Sequence, residues 1–293
     1  MRPAREEDFP QLLDLWRAEV ARGRQDIVPS EARLRRMLGR FDWDTKSRVV
    51  ERNGRIAGSL LVMSRPSPDG VLANLYASGT PDVYLEMVRW GICLCKAAGA
   101  AITQVFVGKG CGQGLAGLGL QLVRPWWRMD RRIGDGLPRA EPVPGYEIID
   151  GSVAHAGSWA ALFNGTFADH WRFAPRGELE VIADKAPQLS LMAVTSARRE
   201  PVALTFGELE SYAGDPRPQP VGLISSVGTL PQHRRRGLAR WLVAEVLHRL
   251  QAAGALHLTL YVDGESRVRA YDAYRKLGFQ VAFEAEVWEA TFP

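Results

Sequence analysis

Residues 234–239, Arg-Arg-Arg-Gly-Leu-Ala, place three cations and a glycine directly ahead of an apolar-periodic segment. Leu238, Trp241, Leu242, Val246 and Leu250 recur at helical spacing, so the arginines stand where a helix begins. That is the positive end of the helix dipole, a poor place for cations unless an anion is held there. The first N–H groups of a helix have no partner inside it and converge readily on a phosphate or pyrophosphate. Gly237 permits close backbone approach, and the guanidinium groups of Arg234, Arg235 and Arg236 add charge-assisted bonds to phosphate oxygens. The apolar stretch VGLISSVGTL just upstream reads as a strand, which supplies the strand–loop–helix order that such a site needs.

Groups that move protons lie elsewhere. Tyr271 and Tyr274 fall on a short helical stretch before Leu277-Gly278-Phe279; a phenol there can protonate a leaving group, or pack in a core beside Ala270 and Leu277. Glu208 and Glu210 end the strand-like VALTFGELE, as acceptors of a proton or as a solvated strand end. Asp169 and His170, within FADHW, follow a helix and can orient an amine or relay a proton, or be structural. Cys93, Cys95 and Cys111 are odd in number and have no His/Cys cluster near them, so reduced thiols are expected and no metal.

These residues must be positioned by elements that the chain writes twice. Its 293 residues suit two domains, and a composition 46% hydrophobic and 24% charged is globular. No apolar run approaches bilayer length and the start carries no signal-like segment, so a cytoplasmic protein is expected. The net charge of +4 is spread along the chain; it suits an anionic small ligand and gives no basic arm for nucleic acid. CKAAGAAITQVFVG parallels LQAAGALHLTLYVD, and LGLQLV parallels LGFQVA. SRVVERNGRIAGSLLVMS and LSLMAVTSARREPVALTFGE each read as a hairpin, with Asn53-Gly54 as a turn signal. A pair of helices precedes each hairpin: residues 6–23 with 30–41, and 158–171 with 176–186. The pattern predicts an α+β module in tandem: residues 1–133, a Pro/Gly-rich linker at 134–145, and residues 146–293. Aligning Ala97 on Ala252 sets GTPDVY, with Asp82, opposite RRRGLA; aligning Leu118 on Leu277 sets Leu115 opposite Tyr274. The first copy has therefore lost the phosphate-loop features.

RRRGLA resembles the acyl-coenzyme A loop R/Q-x-x-G-x-G/A of the GCN5-related N-acetyltransferases (GNATs), and YDAYRKLGFQ resembles their second signature. Two such modules with a decayed first copy are similar to the mycothiol synthase-like tandem acetyltransferases. The resemblance implies a mixed, mostly antiparallel sheet flanked by helices in each module. It implies acetyl-CoA as cosubstrate, no metal, and a small-molecule amine acceptor that attacks the thioester directly in the second module. Backbone N–H groups of Arg235, Arg236, Gly237, Leu238 and Ala239 would hold the pyrophosphate, with the Arg234 and Arg236 side chains assisting. Val227, Gly228 and Thr229 would lie along the pantetheine arm, with an N–H near Val227 as oxyanion donor. Tyr274 would protonate the departing thiolate, with Glu208 or His170 as base. Ser266 stands where many relatives carry asparagine, able to bind pantetheine or cap a helix. Leu223 stands where mycothiol synthases carry a glutamate. A non-catalytic acyl-CoA sensor is the alternative, and the resemblance leaves monomer or homodimer open.

Overall fold

The computed structural model describes residues 1–28, 30–39, 41–151, 156–178, 189–212 and 215–292. The helix expected at 176–186 lies largely outside them. The chain packs as two compact units, one of residues 1–126, 212–216 and 283–293, the other of residues 127–211 and 217–282.

The first unit opens with helices α1 (Phe9–Ala21), α2 (Glu31–Leu38) and the short α3 (Trp43–Lys46). Strands β1 (Ser47–Arg52) and β2 (Arg55–Ser67) form the expected hairpin, with Asn53 at φ 52° and Gly54 at φ 73° in the left-handed geometry a tight turn requires. β3 (Gly70–Gly79) continues the antiparallel sheet, and helix α4 (Pro81–Ala97) crosses over to β4 (Ala100–Gly108), parallel to β3. The sheet order is β1-β2-β3-β4-β11. Strand β11 (Gln280–Thr291) pairs antiparallel with β4 from Ala285↔Gly108 to Thr291↔Ile102. The helix α4 face buries Val83, Met87 and Val88 against Leu60, Leu75 and Val105 of the sheet, each such side chain contributing about 1.5–3 kcal/mol.

The second unit repeats that plan. Its strands are the later part of β5 (Gln121–Arg132), β6 (Tyr146–Asp150), β7 (Leu189–Thr195), β8 (Pro201–Glu210), β9 (Val221–Thr229) and β10 (His257–Asp263). Their order is β5-β10-β9-β8-β7-β6. Helix α5 (Ala156–Phe167) follows β6, α6 (Leu238–Ala252) joins β9 to the parallel β10, and α7 (Ala270–Lys276) follows β10. The predicted apolar stripe of α6 is buried throughout and packs with Ile224, Leu258 and Leu260 of the sheet. Residues 6–23 and 158–171, read as helices, correspond to α1 and α5. Each unit is thus closed by a strand encoded at the end of the other half of the sequence. Among the described residues no helix is long and apolar enough to cross a membrane.

Candidate active site

The site of the second unit starts from a break in β9. β9 pairs with β10 only from Val221↔His257 to Ile224↔Leu260, then continues to Thr229 without a partner in β10. On its other side Ser225 faces Phe206 and Gly228 faces Leu204, so Ser226 and Val227 share one position of β8. This is a β-bulge, and Ser226 adopts φ 54°, uncommon for a residue with a side chain. A bulge bends its strand and leaves backbone groups outside the ladder, here beside the wedge that opens between β9 and β10. The Thr229 hydroxyl is buried and has no hydrogen-bond partner among the described residues.

Beyond Thr229 the chain makes a single 3₁₀ turn, Pro231–His233, and enters the arginine loop. Arg235 at φ 60° and Gly237 at φ 91° turn the backbone left-handed just before α6. No side chain caps α6 at Gly237, so the amides of its first turn are open to a ligand. Leu238 points into the core, so only its backbone faces the loop, and Ala239 is half-buried. A Cβ at Gly237 would meet only Val143 Cγ2 at 3.6 Å; the glycine is required by its φ, not by crowding.

The three arginines do different things. Arg235 is exposed. Arg236 donates to Tyr146 Oη at 3.1 Å and to the Gln232 carbonyl at 3.3 Å, and Tyr146 Oη in turn lies 2.9 Å from His233 Nδ1. These partners are uncharged, so they aim the Arg236 guanidinium without neutralising it. Arg234 is engaged otherwise than expected. It donates to Asp169 Oδ1 at 2.7 Å, to the Thr166 carbonyl at 3.0 Å and, through Nε, to the Thr229 carbonyl at 3.0 Å. Its charge is already matched, and it straps the end of α5 to the end of β9. The Arg234 guanidinium in turn holds the Asp169 carboxyl below the usual carboxylate range, which makes Asp169 a poor proton acceptor. Gly228 belongs to the same joint: a Cβ would stand 2.4 Å from Thr166 Oγ1, so its missing side chain serves packing against α5.

The proton-handling candidates occupy distinct places. Tyr274 is 9% exposed and packs in the core against the Phe279 ring, and burial pushes its phenol well above the usual range. It is therefore protonated at neutral pH, the state a general acid needs. Tyr271, the competitor, is packed edge-on against Trp127 with centroids 5.3 Å apart and lies under Arg275. Glu208 stands directly across from Leu223 in the β8–β9 ladder. Gly207 abuts Val246 and Leu250 of α6, so Glu208 takes the opposite face, shared with Phe206, which stacks on Trp159 of α5. Cross-strand neighbours have Cβ atoms about 5 Å apart, so Glu208 brings a carboxylate beside the position of Leu223. His170 follows α5, its Nδ1 3.0 Å from the Trp171 carbonyl. Ser266 does not cap α7: the cap position is Arg269, and the Ser266 carbonyl accepts the Arg269 N–H in the preceding turn.

One feature was invisible in the sequence. Arg139 and residues 141–144, read only as linker, line a cleft of about 250 Å³ at the start of α6 together with Arg236, Gly237, Arg240 and Trp241. Arg139, Arg240, Tyr146 and His233 therefore belong to the surroundings of the loop. The one local signal is Arg240, a cation one turn into α6.

In the first unit the corresponding place is filled from within. The β3–β4 pairing ends at Leu75↔Val105. Past it, Arg24 donates to the Gly79 carbonyl at 3.0 Å and Gln25 to Ser78 Oγ at 3.4 Å, while the Arg24 carbonyl accepts the Gly108 N–H at 2.8 Å. The chain after α1 thus bridges the ends of β3 and β4. Arg24 also lies over the Tyr84 ring and bonds at 2.6 Å to Glu19, which is 0% exposed. At the start of α4, Asp82 accepts from the Thr80 hydroxyl at 2.7 Å and from Arg52 at 3.1 Å. These bonds hold its carboxyl down at about 2, so the helix end carries its own anion. Among the described residues no group of His, Cys, Asp and Glu is placed to hold a metal.

The bulged strand, uncapped arginine–glycine loop and helix form one strand–loop–helix unit, present here as an open and a filled copy. Residues 204–289 match the FR47-like protein family. The chain is 28% identical over 172 residues to a mycothiol acetyltransferase of Kytococcus sedentarius, covering 54% of each. To a mycothiol acetyltransferase of Thermobispora bispora it is 29% identical over 171 residues, covering 56% of each. The matched region spans little more than half the length of these curated relatives. In fold it is similar to a GCN5-related N-acetyltransferase from Sphaerobacter thermophilus, with a TM-score of 0.78, 22% identity, and 99% and 94% of the two chains covered. A tandem GNAT protein from the clavulanic acid biosynthesis pathway superposes with a TM-score of 0.70 at 16% identity, covering 100% and 98%. In fold the chain consists of two GCN5-related N-acetyltransferase modules in tandem.

Proposed function

We propose that the protein is an acetyl-CoA-dependent N-acetyltransferase acting on a small-molecule amine, with its active site in residues 146–293 and the copy at 1–133 a structural half joined through 134–145. The observation that carries this reading is the opening between β9 and β10 leading to the uncapped start of α6, in contrast to the filled counterpart in the first unit. Coenzyme A fits what is there: uncapped amides and uncompensated arginines for a pyrophosphate, and a buried, unpartnered Thr229 hydroxyl beside the strand edge. Acetyl-CoA, as cosubstrate, supplies the thioester.

In this reading the N–H groups around the bulge at Ser226 and Val227 stabilise the developing oxyanion. Glu208, directly or through a water, takes the proton of the attacking amine, replacing from across the strand the glutamate that Leu223 displaces. Tyr274 donates its proton to the departing thiolate. Amine attack forms the amide as the thioester C–S bond breaks, and no covalent enzyme intermediate is required. The mycothiol acetyltransferases among the relatives make a thiol-sugar amine one acceptor to test. The deep burial of Tyr274 favours a second reading, an acyl-CoA sensor without turnover.

Calorimetric titration with acetyl-CoA tests the first part: one site per chain is expected, abolished by Gly237→Asp. Two sites would contradict the filled first copy, and no binding would sink the transferase reading. Tyr274→Phe then separates enzyme from sensor: lost turnover with unchanged acetyl-CoA affinity supports catalysis, whereas no turnover by the wild type with any amine of a broad panel supports sensing.

A further inference from the structure

The cleft beside the arginine loop carries more positive charge than a pyrophosphate requires. The N-terminal amides of α6, Arg235 and Arg236 already answer a pyrophosphate. Arg139 and Arg240 remain, both exposed, both lining the same cleft as Arg236 and Gly237, and neither in an ion pair among the described residues. Glu141 also lines the cleft, so three guanidinium groups face one carboxylate. Val143 and Trp241 give it an apolar floor and wall, able to meet a sugar or a ring face. Arg139 and Val143 come from the segment between the two sequence repeats, so this part of the cleft is absent from a lone module.

We propose that this cleft is a subsite for a phosphomonoester, the ribose 3′-phosphate of coenzyme A, with Arg139 and Arg240 as the residues that select for it. The inference rests on the acyl-CoA reading of the same site. A phosphomonoester carries close to two negative charges at neutral pH and three acceptor oxygens, which matches the surplus of cations left after a pyrophosphate is satisfied. A guanidinium pair meets it with forked, charge-assisted bonds. The segment between the modules thereby becomes part of the ligand-binding surface, and Tyr146, at its far end, steadies Arg236 from the same side.

The test compares coenzyme A with 3′-dephospho-coenzyme A by calorimetry on the full chain, for the wild type and for Arg139→Gln, Arg240→Gln and the double variant. Both side chains are exposed, and thermal melts of each variant check that the fold is kept. The wild type is expected to prefer coenzyme A by about tenfold or more, the scale of one or two charge-assisted bonds. Each single variant narrows that preference and the double variant abolishes it, with affinity for the dephospho ligand unchanged throughout. Equal wild-type affinity for both ligands, or a preference that survives the double variant, overturns the subsite and leaves the acyl-CoA reading standing. Failure of the wild type to bind either ligand overturns both.

Discussion

Replacing Gly237 with alanine isolates a single physical effect. Gly237 sits at φ 91° and ψ −5°, and an added Cβ would touch only Val143 Cγ2 at ordinary distance, 3.6 Å. The substitution therefore introduces no clash. It forces an L-residue into the left-handed region, at about 1–2 kcal/mol, a factor of roughly 5–30 in an equilibrium. Where that cost appears depends on the loop. If the loop holds its geometry, stability falls and acetyl-CoA affinity is unchanged; for a protein of this size the Tm drops by about 2–4 °C per kcal/mol. If the loop relaxes in the free protein, its amides must be gathered again on binding and the Kd rises instead, by up to about 30-fold. Denaturant unfolding and calorimetric titration together should account for about 1–2 kcal/mol. Asparagine, which tolerates left-handed backbone better, should cost less than alanine. An alanine variant equal to wild type in both measurements, or an asparagine variant worse than alanine, would refute the argument.

Other outcomes follow from the same contacts. Gly228→Ala, which drives a Cβ against Thr166 Oγ1, should destabilise by about 1–3 kcal/mol and loosen the α5–β9 joint, seen as a lower denaturation midpoint. Asp169→Asn should cost no more than about 1 kcal/mol, because the carboxylate is 53% exposed and screened. The Asp169 pKa is depressed in the folded state, so its contribution is present above the ordinary carboxylate pKa and lost as pH falls through the folded value. The wild type and Asp169→Asn should therefore converge in stability in acid, and a gap that widens there would contradict the ion pair. Glu19→Ala leaves Arg24, 11% exposed, without its carboxylate and should cost about 3–5 kcal/mol in urea unfolding. A near-neutral result would mean that the filling of the first cleft is incidental.

Much of the fold was legible because its signals are local. Asn53-Gly54 announces its hairpin, the stripe from Leu238 to Leu250 announces α6, and the paired AAGA segments announce the repeat. The exchange of final strands was not legible. β5 and β11 are both mostly half-buried strands, and nothing in a strand's own residues names its neighbour. Within the site, Glu208 and Leu223 are separated in sequence, and only the register made them cross-strand partners. The role expected of the Ser266 side chain at a helix start failed for a related reason: the turn after β10 runs on to Arg269 before α7 begins.

The sequence by itself determined the local form of the arginine–glycine loop, since a strand, a left-handed turn and an uncapped helix start are written within a dozen or so neighbouring residues. It determined equally that the first copy has no arginine run at that place, where GTPDVY with Asp82 stands instead. Tertiary structure decided how the charges are used. Arg234 is matched by Asp169, Arg236 is steadied by Tyr146, Arg139 is brought to the cleft from the inter-repeat segment, and Arg24 fills the first opening. Each of these joins groups tens of residues apart. A guanidinium has no preferred partner until folding sets which carboxylate, carbonyl or open cleft lies within a few ångströms of it.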